Sequence, residues 1–171
     1  MLFRSVGHAL GLALPDIARG LAAARPVKGR GIWRDAGGVR ILDDTYNANP
    51  VSVRAALDTL RAAAGGRRTL VAFGDMLELG DTAVDAHCEI GRAIAAAGVG
   101  ELIGVGRLAG QAVEAACEAG LAAALRTTTF EDTVAHLLKR VTPGDVLLVK
   151  GSRGMRMERV VDAVIARMRR E

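Results

Sequence analysis

Short apolar segments alternate with longer amphipathic segments along the second part of this sequence, and this alternation limits the possible folds more than any other feature. The apolar segments, which we predict to be strands, are residues 69–73, 101–105, 124–129 and 145–149. The predicted helices between and after them are residues 84–97, 108–117 and 131–139 and a last helix beyond Gly154. Strands that alternate with helices of this length form β-α-β units, whose strands are parallel. The sequence therefore predicts an α/β fold.

The first part of the chain adds a hairpin and a short helical tail. Residues 30–35 and 39–43 flank Ala36-Gly37-Gly38, a spacing typical of an antiparallel β-hairpin. Residues 6–24 fit two short helices, and Asn49-Pro50 marks the start of a further one. We predict a three-layer domain with a mainly parallel sheet, an antiparallel edge hairpin and a short helical N-terminal remnant.

The composition excludes several classes of protein. The 171 residues are 50% hydrophobic but only 3% aromatic, which favours helices and aliphatic strands over a β-sandwich. Cys88 and Cys117 lie far apart in the sequence, which excludes a disulfide scaffold and a thiolate zinc site. No uncharged apolar run reaches the ~18 residues of a membrane span, and a net charge of +4 with few aromatic residues gives nucleic-acid binding little support. We therefore expect a cytoplasmic monomer that binds neither nucleic acid nor a membrane.

Four loops follow predicted strands and are the places to look for chemistry. In parallel sheets, ligands bind beyond the carboxyl ends of the strands. The loops are residues 43–50, 74–80, 104–110 and 150–154. We expect the functional groups of this chain to lie in them.

The first two loops are rich in carboxylates and amides. Residues 43–50 bring carboxylate, phenol and amide groups to a helix N-terminus, which suits a polar ligand, although such a loop can also simply cap the helix. Asp75 and Glu78 in the second loop could bind an ammonium group or a metal, or serve as ordinary capping residues. Since no third ligand stands at a suitable spacing, we expect no metal site. We interpret His87 as a surface or packing histidine.

The other two loops carry glycines and cations. Residues 104–110 resemble a dinucleotide-binding fingerprint with a displaced third glycine, but glycines that ease a strand-to-helix turn explain the pattern equally. Lys150, Ser152 and Arg153 end the last strand where a helix is predicted to begin, which suits an anion. The sequence has no P-loop, because none of Lys28, Lys139 and Lys150 follows a glycine.

Together these segments resemble the Mur ligases, and within them the branch that uses D-alanyl-D-alanine. The resemblance rests on Pro26-Val-Lys-Gly-Arg30, Asp43-Asp-Thr-Tyr-Asn-Ala-Asn-Pro50, Gly74-Asp-Met-Leu-Glu-Leu-Gly80 and Val149-Lys-Gly-Ser-Arg-Gly-Met-Arg-Met-Glu158. Enzymes of this family have a nucleotide-sugar domain, a central P-loop ATPase domain and a Rossmann-like C-terminal domain. The resemblance implies that residues 25–171 are the C-terminal domain and that residues 1–24 are the helical tail of a central domain missing from this chain.

The resemblance also implies an activity. In the family, ATP phosphorylates a carboxyl group, and an amine attacks the acyl phosphate to give an amide, ADP and phosphate. Here the amine would be that of D-alanyl-D-alanine and the acyl substrate UDP-N-acetylmuramoyl-tripeptide, in peptidoglycan synthesis. ATP and Mg²⁺ would be held mainly by the central domain, so we expect this chain to be inactive alone and to supply neither a catalytic residue nor a metal ligand.

The same resemblance assigns residues to the two substrates. Arg30 would reach the ATP phosphates and Asp44 the ribose hydroxyls. The residues expected to line the same edge are Tyr46, Asn47 and Asn49. The residues expected to face the dipeptide are Asp75, Met76 and Glu78 near its ammonium group and Lys150, Ser152 and Arg153 near its carboxylate.

Two other functions stay open from the sequence. A free-standing Rossmann-like dinucleotide-binding protein would use Gly104 to Gly110. A non-catalytic anion-binding module would use the arginines from Arg153 to Arg170.

Overall fold

The computed structural model describes residues 2–24 and 27–169. The strands in this part of the chain are β1 (Ile32–Ala36), β2 (Val39–Asp44), β3 (Thr69–Gly74), β4 (Glu101–Val105), β5 (Ala124–Thr127) and β6 (Val146–Lys150). The helices are α1 (Leu2–Ala9), α2 (Leu14–Ala23), α3 (Pro50–Ala64), α4 (Ala83–Ala96), α5 (Ala109–Glu118), α6 (Phe130–Arg140) and α7 (Glu158–Met168). Short 3₁₀ turns at Gly80–Thr82 and Arg153–Met155 precede α4 and α7.

The six strands form one sheet in the order β1-β2-β6-β3-β4-β5. Every neighbouring pair is parallel except β1 and β2, which form an antiparallel hairpin at one edge. Gly37 and Gly38 join these two strands with φ angles of 55° and 76°, the left-handed conformation that the tightest hairpin turn requires at both central residues. The predicted mainly parallel sheet with an antiparallel edge hairpin is confirmed.

Helices cover both faces of the sheet and divide the core in two. On one face α3, α4 and α5 enclose a cluster that includes Leu57, Phe73 and Ile90. On the other face α6 and α7 enclose a second cluster that includes Leu137 and Val161. The apolar side chains of the sheet's central strands are fully buried, as expected for a parallel sheet covered on both sides. The predicted three-layer α/β architecture is confirmed.

The start of α3 is fixed by side-chain capping. The side chain of Asn49 accepts a hydrogen bond from the backbone N–H of Ser52, and the Ser52 hydroxyl accepts one from the backbone N–H of Asn49. This reciprocal pair satisfies two amides that the first turn of a helix leaves unpaired. It therefore fixes the backbone at the end of the loop 43–50, where α3 begins.

The helices α1 and α2 pack on each other, with Ile17 of α2 buried against Gly7. Leu10 and Leu14 are exposed. The predicted domain boundary falls at residues 25 and 26, which lie outside the described residues, so the division into residues 1–24 and 25–171 stays a prediction. Across residues 2–24 and 27–169, no helix has both the length and the apolar character needed to cross a bilayer.

Candidate functional site

The four loops singled out from the sequence lie at one edge of the sheet. They follow β2, β3, β4 and β6, which run in the same direction, so their carboxyl ends meet there. The backbone N–H of Ser152 donates to the carbonyl of Asp75 over 3.0 Å and so joins two of the loops directly. The structure therefore brings together the groups that the sequence placed in separate segments.

A surface cavity of about 230 Å³, which we call the polar cavity, opens at this edge. Its lining residues are Arg30, Asp44, Tyr46, Asn47, Asn49, Ser52 and Lys150. All five residues that the resemblance assigned to ATP are among them. The structure thus places these five around one space, together with a lysine that the resemblance assigned to the dipeptide.

Asp44 and Lys150 form an ion pair inside the polar cavity. They are register partners at the ends of the adjacent parallel strands β2 and β6. The Lys150 Nζ donates to the Asp44 Oδ2 over 2.5 Å and to the carbonyl of Asn47 over 2.9 Å. The other carboxylate oxygen of Asp44 accepts the backbone N–H of Gly31 over 3.0 Å. One carboxylate therefore connects β6 with the segment that carries Arg30.

Two arginines flank the ring of Tyr46. The guanidinium carbon of Arg30 lies 3.9 Å from the ring centroid, and that of Arg153 lies 5.7 Å from it. Cations over an aromatic ring are attracted by its negative face, most strongly at the shorter of these distances. These contacts place the positive charges of the segment before β1 and of the loop after β6 beside the polar cavity, where an anionic group would meet both.

The loop after β3 is held by side chains and amides from three other elements. The Nε2 of His87, in α4, accepts the backbone N–H of Met76 over 2.9 Å, and the Ser152 hydroxyl accepts that of Leu77 over 2.8 Å. The Asp75 carboxylate accepts the backbone N–H of Ala109, the first residue of α5, over 2.7 Å. The loop is thus fixed on several sides, and its backbone position depends on residues distant in sequence.

The six residues assigned to the dipeptide differ in their exposure. The exposed members of the set are Glu78 and Arg153, whereas the other four are buried. Met76 lies in the core below the loop, so its side chain is not part of the surface that a dipeptide could reach in this structure. The ammonium group of Lys150 points into the polar cavity.

The sequence predicted that a helix begins directly after the segment of Lys150, Ser152 and Arg153, and this prediction is wrong. The last helix, α7, begins only at Glu158, because a 3₁₀ turn at Arg153–Met155 and a left-handed Arg156 come first. The backbone N–H groups of Met155 and Arg156 are bonded to the carbonyls of Ser152 and Arg153. An anion at this loop would therefore be held by side chains rather than by unpaired amides of α7.

Sequence reasoning missed the role of two residues at this edge. His87 is a packing histidine, as one of the two interpretations had it, but its contact with the loop after β3 was not foreseen. Thr45 is buried and donates its hydroxyl to Asp43 over 2.7 Å, and Arg34 lies 3.5 Å from the other oxygen of that carboxylate. Thr45 lies within the motif 43–50 and its contact with Asp43 is local, but no pattern in the sequence indicated that its hydroxyl would bond to this carboxylate. The contact of His87 joins α4 to the loop after β3, and only the folded chain brings these two elements together.

The structure argues against the dinucleotide-binding alternative. A pyrophosphate would sit at the N-terminus of α5, but the Asp75 carboxylate already occupies that place on the Ala109 amide. A Cβ atom at Gly106 would lie only 2.6 Å from the same carboxylate. Gly104 likewise allows α5 to approach the sheet, since a Cβ there would clash with Val113 and the Ala109 carbonyl. These glycines serve close packing.

Two of the arginines near the C-terminus, which an anion-binding surface would use, have partners within the molecule. Arg159 stacks on Phe130 at 4.2 Å and lies 3.8 Å from Glu131. Arg153 lies 3.9 Å from Glu158. Arg170 is outside the described residues. Within residues 2–24 and 27–169 there is also no group of three His, Cys, Asp or Glu side chains that could hold a metal ion.

The family comparison and two sequence relatives of this chain point to the same group of enzymes. The family described as Mur ligase, glutamate ligase domain matches residues 29–153. The UDP-N-acetylmuramoyl-tripeptide--D-alanyl-D-alanine ligase of Mycobacterium leprae is 32% identical over 181 residues, covering 94% of this chain and 35% of that protein. The enzyme of the same name from Escherichia coli is 38% identical over 161 residues, covering 94% of this chain and 34% of that protein. The chain thus spans about a third of the length of these relatives.

Solved structures agree with the sequence relatives. The MurF ligase of Thermotoga maritima in complex with ADP superposes with a TM-score of 0.80 at 28% identity, covering 97% of this chain and 36% of that one. MurF from Acinetobacter baumannii superposes with a TM-score of 0.81 at 31% identity, covering 94% and 35%. Since the family match extends over residues 29–153, the chain belongs to the Mur ligase family and contains its glutamate ligase domain.

Proposed function

We propose that this chain is the C-terminal domain of the ATP-dependent ligase that adds D-alanyl-D-alanine to UDP-N-acetylmuramoyl-tripeptide in peptidoglycan synthesis. The observation that carries the proposal is the polar cavity, in which the five residues assigned to ATP meet at the carboxyl edge of the sheet. The names of the relatives support the choice of substrates. The ADP bound to the Thermotoga maritima enzyme supports the nucleotide.

The polar cavity has the groups that a nucleotide requires. Arg30 offers a guanidinium for a phosphate, and planar guanidinium groups bind phosphate oxygens through paired hydrogen bonds. Asp44 offers carboxylate oxygens to hydroxyl donors such as those of ribose. As the resemblance implies, we assign Mg²⁺ mainly to the central domain of the full enzyme. Tyr46, Asn47 and Asn49 complete the wall that faces the nucleotide.

The dipeptide would meet the neighbouring surface formed by the loops after β3 and β6. D-Alanyl-D-alanine carries an ammonium group and a carboxylate, and the exposed Glu78 and Arg153 offer one charge of each sign. The buried Asp75, Met76 and Ser152 would set the shape of this surface. Their contacts hold the loop after β3 in place rather than project toward solvent.

The contribution of this domain to the reaction is positioning and exclusion of water. When bound, ATP supplies the phosphoryl group that activates the carboxyl group of the tripeptide. The domain would close over the reacting groups and bring Arg30 to the phosphates and the amine of the dipeptide to the activated carboxyl group. Bringing two reactants together in this way lowers the barrier by several kcal/mol, roughly 7 to 11 in the best intramolecular models.

We further propose a cytoplasmic monomer that binds neither nucleic acid nor a membrane.

A chimeric ligase tests this proposal. The part of the Escherichia coli enzyme that matches residues 25–171 is replaced by this domain, and phosphate release is followed with both substrates and ATP. We expect release that depends on D-alanyl-D-alanine and stops when this dipeptide is replaced by N-acetyl-D-alanyl-D-alanine, whose blocked amine cannot attack the activated carboxyl group. A chimera that folds, as judged by a cooperative melt, but releases no phosphate would count against the proposal.

A further inference from the structure

We propose that Lys150 is a positioning residue, which orients the Asp44 carboxylate for the nucleotide and does not itself bind the dipeptide. The proposal rests on the proposed function, since it concerns the nucleotide site of the same ligase. It differs from the role that the resemblance implied, in which Lys150 faces the dipeptide carboxylate. The ion pair between the ends of β2 and β6 is the observation behind it.

The strand register determines the pair. Asp44 and Lys150 are partners on adjacent parallel strands, so both side chains leave the sheet on the same face. The ammonium group has three donors, of which one meets the Asp44 carboxylate and another the carbonyl of Asn47. Lys150 therefore restrains the carboxylate and the loop after β2 at the same time.

The difference in exposure indicates which partner a ligand meets. The Lys150 side chain is 2% exposed, whereas that of Asp44 is 21% exposed. A dipeptide carboxylate that approached the ammonium group would have to pass the carboxylate of Asp44. The two negative charges would repel each other. A ligand in the polar cavity would meet Asp44 first, with Lys150 behind it.

Asp44, which Lys150 holds in place, in turn binds the segment before β1. Its second oxygen accepts the N–H of Gly31, the residue after Arg30. The backbone N–H of Tyr46, in the loop that Lys150 restrains, donates to the carbonyl of Gly29 over 2.8 Å. Loss of Lys150 would therefore release both segments that carry the groups assigned to ATP.

Steady-state kinetics of the chimeric ligase test the proposal. In Lys150→Met, which removes the charge at similar length, we expect the KM for ATP to rise by about tenfold or more while the KM for D-alanyl-D-alanine stays within about twofold. Lys150→Gln, which keeps a hydrogen-bond donor but not the charge, should also raise the KM for ATP and leave the KM for D-alanyl-D-alanine within about twofold. A larger rise in the KM for the dipeptide than in that for ATP would overturn the proposal.

A double-mutant cycle separates positioning from direct contact. If Lys150 acts through Asp44, adding Lys150→Met to Asp44→Asn should change the KM for ATP by less than about twofold. If the two substitutions instead raise the KM for ATP by factors that multiply in the double variant, Lys150 acts on the nucleotide independently of Asp44. That result would also overturn the proposal. Arg68→Met is the matched control, because Arg68 pairs with Asp145 at the opposite edge of the sheet, over 3.0 Å. It should leave both KM values unchanged.

A measurement on the 171-residue chain distinguishes failure of this inference from failure of the proposed function. In Lys150→Met the amide proton resonance of Gly31 should move upfield, because its acceptor carboxylate is no longer held. In Arg68→Met it should stay in place. An unchanged Gly31 resonance in Lys150→Met would overturn the positioning role, even if the chimera is active. A shifted resonance with an inactive chimera would support the positioning role and count against the proposed function alone.

Discussion

The Nε2 atom of His87 accepts a hydrogen bond from the backbone N–H of Met76 over 2.9 Å, inside a fully buried environment. The other ring nitrogen, Nδ1, lies 2.6 Å from the carbonyl of Ala83 and serves as the donor. A histidine with this pair of partners is neutral and carries its proton on Nδ1. The loop after β3 is therefore tied to α4 by one specific tautomer.

Replacing His87 by leucine should destabilise the fold. Leucine fills the space of the histidine ring with an apolar side chain, but it leaves the Met76 N–H buried without an acceptor. An unpaired buried donor costs about 1 to 3 kcal/mol. Urea unfolding of the 171-residue chain measures the change in the free energy of unfolding. His8→Leu, at an exposed position of α1, is the control and should change it by less than about 0.5 kcal/mol. Equal effects of the two substitutions would contradict the assigned role.

Replacing Ser152 by alanine should loosen one end of the same loop. Its hydroxyl accepts the Leu77 N–H and lies 3.3 Å from the Ala48 carbonyl, to which it donates. We expect hydrogen exchange at the Leu77 amide to accelerate, with a loss of about 1 to 2 kcal/mol in stability. The Met76 amide, which His87 holds, is an internal control and should keep more of its protection. Parallel acceleration at both amides would indicate global unfolding instead.

The sequence was sufficient for the order of the helices and strands but not for these contacts. The segments 69–73 and 101–105 are uniformly apolar because both faces of the sheet are covered, and this is a strong signal. The segment 124–129 was predicted too long, since β5 ends at Thr127 and Thr129 instead caps α6 by accepting the Asp132 N–H. A threonine suits both a strand and a helix cap, so composition alone could not separate the two.

Replacing Gly91 by alanine should destabilise the chain even though alanine is the better helix former. A Cβ at this position of α4 would lie 2.1 Å from the carbonyl oxygen of Ala112 in α5. The two helices would have to separate, which we expect to cost about 2 kcal/mol or more. Gly20→Ala, in α2, is the matched control because nothing lies within 4 Å of its added Cβ. It should be neutral or stabilising by up to about 1 kcal/mol. Urea unfolding of both variants measures the difference.

Glu101, at the edge of the sheet opposite the candidate site, should make stability depend on pH. Burial raises the pKa of Glu101, but hydrogen bonds from His136 and Arg140 and their positive charges outweigh this effect and hold the pKa below its ordinary value of 4.5. A carboxyl group whose pKa is lower in the folded state stabilises the fold above its unfolded pKa. This contribution is lost as the pH falls through the folded pKa.

We therefore expect Glu101→Gln to cost about 2 kcal/mol at pH 7 and progressively less as the pH is lowered below 4.5. Urea unfolding at a series of pH values measures the gap between wild type and variant. Glu89→Gln is the control, because Glu89 is exposed and its ion pair with Arg54, over 3.4 Å, is exposed as well. The effect of this substitution should stay within about 0.5 kcal/mol at every pH. A gap for Glu101→Gln that does not change with pH would contradict the assignment.

Most residues of the candidate site could be predicted because they stand at the carboxyl ends of strands or in the loops that follow, but their pairing could not. Strand order decides which loops touch. Because β6, the last strand in sequence, inserts between β2 and β3, Lys150 meets Asp44, and Ser152 meets the loop after β3. The hydrophobic pattern of a strand shows that it is buried but not which strands are its neighbours.

The 171-residue chain alone should neither hydrolyse ATP nor form the amide bond. Its sequence contains no P-loop, and catalysis of phosphoryl transfer depends almost entirely on positioning and on stabilising charge. The polar cavity is open to solvent, where each ionic contact of a nucleotide with Arg30 or Asp44 contributes roughly 0 to 1 kcal/mol. Binding should therefore be far weaker than the ~8 kcal/mol that corresponds to micromolar affinity. Calorimetric titration with magnesium and ATP measures the affinity, and phosphate release is compared with that of a heat-killed sample. Micromolar binding, or phosphate release above that control, would show that this domain contains a complete ATP site of its own.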